Sequence, residues 1–297
     1  MILNYTVKKE DEGKLLKFIL KNKMSLSERL IKRLKLSEKI LVNDCPKFVN
    51  HVVSSGEVVE VNIDFEETAE DIIPEDINLD IIYEDHCFIA INKQPGIVVH
   101  PTFSHPSGTI ANAVMLHYLK NGETKKIRPV SRLDRDTSGV IVFAKNEFVQ
   151  ASLIKQMKEN TYTKEYIGVV NGILDTPTGS INLPIARKPD SIMLRHISED
   201  GYESVTHYNV IEYLNNATLL RFRLETGRTH QIRVHCQAIG HPLIGDTLYS
   251  DIKTDLINRQ ALHSIETTFS HPIDKSLVNL KTEIPNDIVN LINALRK

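Results

Sequence analysis

The chain is poor in the features that would place it at once in several large classes. It has three cysteines in 297 residues, Cys45, Cys87 and Cys236, an odd count at unrelated spacings that argues against a disulfide framework and for a reducing cytoplasm. No apolar run approaches the roughly 20 residues that cross a bilayer, so membrane spanning is not expected. The start, Met1-Ile2-Leu3-Asn4-Tyr5-Thr6-Val7-Lys8, lacks the charged-then-apolar order of a signal peptide. Net charge is missing too. A formal −2 creates no global attraction for a polyanion, so nucleic-acid binding must come from local patches. Lys and Arg vanish altogether from Phe48 to Asn92.

What is present reads as a globular protein of ordinary composition, with 41% hydrophobic and 25% charged residues. The length favours a small accessory domain beside a larger one. The cation-free interval contains an acidic stretch, with Glu66, Glu67, Glu70, Asp71, Glu75 and Asp76 around Pro74, which reads as a solvated linker over residues 64–79. That divides the chain into residues 1–63 and 80–297.

In the first unit, Leu15, Leu16, Phe18 and Ile19 form one apolar helical stripe. Leu30, Ile31 and Leu34 form another behind a Ser27 cap, with Arg29, Lys32 and Arg33 on its polar side. Strands are expected at 39–43 and 57–62. Such a cationic helix either lies against a phosphate backbone or simply solvates an amphipathic face. The order of helix, basic helix, Ile-Leu-Val-Asn and Gly-Glu-Val-Val resembles the S4 RNA-binding domain, although Ser37-Glu38-Lys39 stands where that domain usually has a turn glycine.

In the second unit the densest chemistry lies in Arg128 to Asn146. There Arg132, Asp134, Arg135 and Asp136 precede Val140-Ile141-Val142-Phe143-Ala144, a β-branched and aromatic run expected to be a buried strand. A carboxylate at the mouth of such a strand is either a functional group or part of a salt-bridge cap. Strands are expected at 80–85 and 87–92. The following Pro95-Gly96 turn is flanked by Lys93 and His100, which can face a common cleft. Helices are expected over 109–119 and 148–159.

On the strand Thr161–Val170, period-two alternation puts Tyr162, Lys164, Tyr166 and Gly168 on one face, a polar and aromatic row. After a strand at 219–224 come Arg228, His230, Gln231 and Arg233, with Thr229 as the expected cap of a helix to Ala238. His230 and His235 are five residues apart and do not share a helix face, which discounts a metal site. Arg228 and Arg233 read as partners of an anion or a carboxylate. Ala261-Leu262-His263 and Ser270-His271-Pro272 are compatible with edge strands, and Ile288, Leu291 and Leu295 with a terminal helix.

Four segments together resemble one family, the RluA-type pseudouridine synthases. They are Lys93-Gln94-Pro95-Gly96 with His100; Arg132-Leu133-Asp134-Arg135-Asp136-Thr137-Ser138-Gly139; Lys164-Glu165-Tyr166; and Thr226 to Arg233 with His241-Pro242-Leu243-Ile244-Gly245-Asp246. The resemblance implies an α+β fold, a mixed, largely antiparallel central sheet with flanking helices, beside the small α/β S4-like unit. It implies Asp134 as the catalytic carboxylate, a choice between Asp134 and Asp136 that the residues alone leave open. It further implies Arg233 as the partner of Asp134, Tyr166 packed on the target base, and Arg132 holding the nucleotide out of its stack.

Lys93, His100, Arg228, His230 and Gln231, with Arg29, Lys32 and Arg33 of the basic helix, complete the expected RNA-binding set. The implied reaction isomerises uridine to pseudouridine in structured RNA, most naturally 23S ribosomal RNA. A transfer-RNA-directed synthase and a non-catalytic RNA-binding protein of the same fold are the alternatives. No metal, no cofactor and no membrane partner is expected, and the chain is expected to act as a monomer. Ser131 and Gln94 depart from the family's usual His and Pro.

Overall fold

The computed structural model describes every residue except 66, 68–71, 104 and 297. Glu66, Glu70 and Asp71 of the acidic stretch therefore lie outside the described residues. The chain opens with β1 (Ile2–Thr6). A short α1 (Leu16–Phe18) then runs into a π-helical turn at Ile19–Lys23, followed by α2 (Glu28–Leu36), β2 (Ile40–Val42), β3 (Cys45–Pro46) and β4 (Val58–Asn62). These strands form an antiparallel sheet in the order β1-β4-β2-β3.

Helix α2 starts where expected, because the Ser27 hydroxyl accepts from Leu30 N at 3.1 Å, and it buries Leu30, Ile31 and Leu34. The first helix is shorter than its apolar spacing suggested. Leu15 is still extended, and Leu16, Ile19 and Leu20 rather than Leu15 and Phe18 enter the core. At the turn where a glycine was missing, Glu38 itself adopts a left-handed φ of 52°, a conformation that disfavours most L residues.

The stretch after β4 is not solvated throughout. Glu67 is buried, accepting from Arg33 Nη1 at 3.1 Å and from Arg128 Nη1 at 2.6 Å and Nη2 at 2.8 Å. Burial opposes its charge, yet the arginines hold its carboxyl below the usual range. Arg33 also donates to Glu147 at 3.0 Å. The apolar core is continuous across the same seam, with Leu16, Leu34 and Val59 in one cluster with Phe88, Val142, Phe148 and Phe269.

The larger part contains β5 (Ile81–Glu84), β6 (Phe88–Lys93), α3 (Ile110–Lys120), β7 (Arg128–Pro129), β8 (Ser138–Ala144), α4 (Glu147–Lys158), β9 (Thr163–Asn171) and β10 (Thr178–Asn182). The hairpin β11 (Ile185–Arg187) and β12 (Arg195–Ile197) follows, then β13 (Val205–Leu214), β14 (Ala217–Leu224), α5 (Gln231–Ala238), β15 (Leu262–Ser270), β16 (Leu277–Lys281) and α6 (Asn286–Leu295). The sheet runs β10-β13-β14-β9-β15-β8-β6-β5, with β16 and β7 attached to β15 and β8. Every pairing in it is antiparallel except β15 with β8, so the mixed, largely antiparallel α+β architecture holds.

Residues 261–263 and 270–272 are not edge strands. The first begins, and Ser270 ends, a single strand at the centre of the sheet, where the polar run Glu266-Thr267-Thr268 is paired with β9 on one side and β16 on the other. The parallel pairing needs Gly139, whose φ is 110° and at which a Cβ would collide with the Ser264 carbonyl.

Beside it, the His263 imidazole bridges Ser138 Oγ and Thr282 Oγ1, each at 2.9 Å. Burial, with the nearby Arg259 charge, pushes the His263 pKa down to about 4, so the folded state holds a neutral ring that the unfolded chain would protonate below its ordinary ~6.5. Unfolding then takes up a proton between these values, and stability must fall as the pH drops through that window. We expect wild type to lose roughly 2 kcal/mol more than His263→Gln between pH 7 and pH 5, read from urea midpoints. Parallel curves for the two proteins would contradict this.

Candidate active site

One side of the sheet opens into a cleft of about 1010 Å³. Its floor is formed by Tyr162, just ahead of β9, with Lys164 and Tyr166 on β9, the row that the alternation isolated. One wall is the 98–102 loop with His100, another is Pro129 to Asp134, and Arg195, Glu203 and the 224–229 turn close the far side. Tyr162 is less a rim residue than a support, buried and stacked on Phe269 at 4.9 Å.

Asp134 sits in the turn that feeds β8, its carbonyl accepting from Thr137 N at 3.2 Å, with its side chain 24% exposed to the cleft. Arg233 approaches from α5. Its Nε and Nη2 donate to the two oxygens of Asp246, each at 2.7 Å, and its Nη1 reaches Asp134 Oδ2 at 3.4 Å. Asp246 is further fixed by the backbone N–H groups of Leu248 and Tyr249. Burial disfavours the guanidinium charge, but Asp246 and then Asp134 outweigh it and raise the pKa. His230 Nε2 lies 3.8 Å from Asp134 Oδ1. Tyr166 lines the same cleft, and burial, reinforced by the Asp134 charge, drives its phenol well above the ordinary value. At neutral pH it is an uncharged ring and a hydrogen-bond donor.

The remaining expected residues divide sharply. Arg132 is exposed at the cleft mouth, and His100 lines the cleft with its buried Nδ1 unpartnered among the described residues. Arg228 stands at the opposite lip, donating to the Glu203 carbonyl at 3.1 Å, with its guanidinium 5.3 Å from the Tyr202 ring centroid.

Lys93 and Gln231, by contrast, are not available to RNA. Lys93 is 1% exposed, and its ammonium donates to the carbonyls of Gln94, Ile97 and Arg135 at 2.8, 2.9 and 2.8 Å, pinning the Pro95-Gly96 turn to the Asp134 loop. Gln231 is 3% exposed, donating to Val205 O and Thr206 Oγ1 while its oxygen accepts from Thr226 Oγ1 and Arg228 N. On α2, away from the cleft, Arg29 and Lys32 are exposed, whereas Arg33 is engaged by Glu67 and Glu147.

Thr229 does not cap α5. His230 occupies that position with a left-handed φ of 59°. His235 is bound by Thr206 and the Leu183 carbonyl, each at 2.9 Å, a structural role. Asp246 stands among the motif residues, but its pairing with Arg233, 13 positions away, carries no periodic signal in the sequence.

The sheet and its cleft match those of enzymes known to act on RNA, as comparison with known proteins shows. The profile described as RNA pseudouridylate synthase matches residues 87–238. A Bacillus subtilis protein named as an uncharacterized RNA pseudouridine synthase, YjbO, is 38% identical over 91% of this chain and 96% of its own length. The ribosomal large subunit pseudouridine synthase D of Haemophilus influenzae is 39% identical over 82% of this chain and 79% of its own. Among solved structures, human RNA pseudouridylate synthase domain containing 1 superposes with a TM-score of 0.57 at 25% identity, covering 74% of this chain and 95% of that one. The chain belongs to the RluA-type RNA pseudouridine synthase family, and is accordingly an isomerase whose substrate is RNA.

Removing Asp246 would leave the buried Arg233 charge without its main partner. We expect Asp246→Ala to lose about 3–5 kcal/mol of unfolding free energy. Urea denaturation at neutral pH measures it, and an unchanged midpoint would show that the ion pair does not carry this weight.

Proposed function

We propose that Asp134 is the reacting carboxylate that converts uridine to pseudouridine, and that large-subunit ribosomal RNA is the substrate. The observation that carries the first part is the arginine-held carboxylate at the floor of a cleft lined by Tyr166 and Arg132. The second rests on the similarity to the Haemophilus influenzae synthase D, whose name specifies the ribosomal large subunit.

A target nucleotide must leave its stack to reach Asp134, and unstacking costs a few kcal/mol. Arg132 at the mouth offsets this by holding the extruded nucleotide's phosphate or base. Tyr166 presents a flat apolar face against which the pyrimidine packs. Asp134, with Arg233 beside it, attacks at the base or the sugar. The C1′–N1 bond breaks, the base turns in the cleft, C1′–C5 forms, the bond to Asp134 is released to restore the carboxylate, and the C5 proton is removed as N1 gains one. Atoms and electrons balance without an oxidant or a cofactor. Tyr166, neutral and close to the base, assists the last proton transfer.

Residues 1–63 are read as an S4-like RNA-binding unit joined through residues 64–79 to the catalytic part, 80–297. Arg29 and Lys32, exposed on α2, are the cations that meet phosphate. The chain is read as acting as a monomer.

We expect Asp134→Ala to abolish pseudouridine formation while leaving RNA affinity nearly intact. Conversion is read by mapping pseudouridine in ribosomal and transfer RNA from cells carrying each form. Residual conversion by the variant would remove Asp134 from the role, and dependence confined to transfer RNA would move the substrate. For the N-terminal unit, Arg29→Glu with Lys32→Glu is expected to weaken RNA binding and to reduce the slope of log affinity against log salt by about 2. An unaltered slope would take this helix out of the RNA contact.

A further inference from the structure

The carboxylate of Asp134 has two oxygens, and Arg233 reaches only one. The other faces His230. We propose that His230 is a positioning residue for Asp134, held by Tyr249 as the tautomer that carries its proton on Nε2. The inference rests on the reading of Asp134 as the reacting group.

One hydrogen bond beside the ring has a fixed direction. The backbone N–H of Arg195 donates to Tyr249 Oη at 2.9 Å, and an amide N–H can only donate. Tyr249 Oη therefore accepts there. Its own hydrogen has one further partner among the described residues, His230 Nδ1 at 2.8 Å. With Nδ1 accepting, a neutral imidazole must carry its hydrogen on Nε2, the nitrogen 3.8 Å from Asp134 Oδ1. The Tyr249 ring packs edge-on against the imidazole at 5.5 Å and 76°.

Two features keep the ring in place. His230 takes a left-handed φ at the start of α5, three residues ahead of Arg233, so both side chains lie on the same side of the helix. Burial, the largest effect, pushes the His230 pKa down, and Arg233 and Arg195 act in the same direction. Asp134 and Asp246 oppose them, and among the described residues these four are the charged groups that act on the ring. The ring is thus neutral near pH 7, and it orients Asp134 without adding a second full charge that would weaken the carboxylate as a nucleophile. A spacing of 3.8 Å is long for a hydrogen bond, but such contacts commonly tighten once substrate is bound. The hydrogen bonds from Arg195 to Tyr249 and on to His230 also tie the β12 strand at the cleft lip to the ring that faces Asp134. Sequence reading had assigned His230 to RNA. Its neighbours assign it to Asp134.

The test uses the full-length enzyme and single-turnover conversion of the RNA fragment that wild type modifies, with thermal melting of each variant as a check on folding. His230→Phe is expected to lower the rate of the chemical step by about 100-fold with little change in RNA affinity. His230→Gln, whose amide can donate to Asp134 while its oxygen accepts from Tyr249, is expected to recover most of that loss. Tyr249→Phe frees Nδ1 to take a proton, and is expected to move the acid limb of the pH–rate profile to higher pH. A wild-type rate in His230→Phe overturns the proposal. So do equal losses in the Phe and Gln variants, which would mean that only packing was disturbed, or an acid limb unmoved in Tyr249→Phe. Asp134→Ala run alongside keeps the two readings apart. If it stays active, the catalytic assignment of Asp134 fails; if it is inactive while His230→Phe is fully active, only the role of His230 fails.

Discussion

Everything at the floor of the cleft depends on how one guanidinium is shared between two carboxylates. Arg233 gives its Nε edge to Asp246 and a single Nη1–H, at longer range, to Asp134. A fork that closed on Asp134 with both N–H groups would mask its oxygens. Because Asp246 is itself clamped by backbone amides, the fork cannot swing. Asp134 meets one guanidinium N–H only, and keeps its remaining lone pairs toward the cleft. The pair is buried, where electrostatic interactions are strong and an unpartnered charge is costly, so the arrangement is both rigid and sensitive to loss of either acid.

The scaffold that sustains this geometry is built by close approach at the sheet centre. Gly139 lets β8 touch β15, and Gly168 admits the Phe222 ring and the Leu243 side chain, which would lie 2.9 and 3.0 Å from an added Cβ. Lys93 works from behind, gathering three carbonyls of two loops around one ammonium. The visible cleft residues are thus held by groups that never meet solvent. These include a lysine and a glutamine whose polar character would suggest ligand contact.

Local pattern carried a good part of this. The run Val140 to Ala144 is a fully buried strand because nothing in it can be solvated. The row Tyr162, Lys164, Tyr166 faces the cleft because alternation leaves a strand no other choice. Family motifs, rather than periodicity, point to Asp134 over Asp136; in the structure Asp136 is paired with its neighbour Arg135. Strand β15 was misread as two edges since its interior, Glu266-Thr267-Thr268, is polar, and only pairing on both sides accounts for it. Strand β13 was missed for a similar reason, its burial alternating between intermediate and exposed along most of its length. The fate of Lys93 and Gln231 was not legible either, for a polar side chain's orientation is set by distant carbonyls. The same holds for Asp246, which meets Arg233 only in three dimensions.

The parallel contact between β8 and β15 joins residues 125 positions apart, Ser138 and His263, and it has a temporal meaning. Asp134 is synthesised well before the strand that seats its loop, and Arg233 before the central strand closes. Closing so long a loop is slow and entropically unfavourable until the distant partner exists. During translation the acid, the arginine and the tyrosine therefore emerge as unassembled pieces. The site comes into being only when the last third of the chain is available.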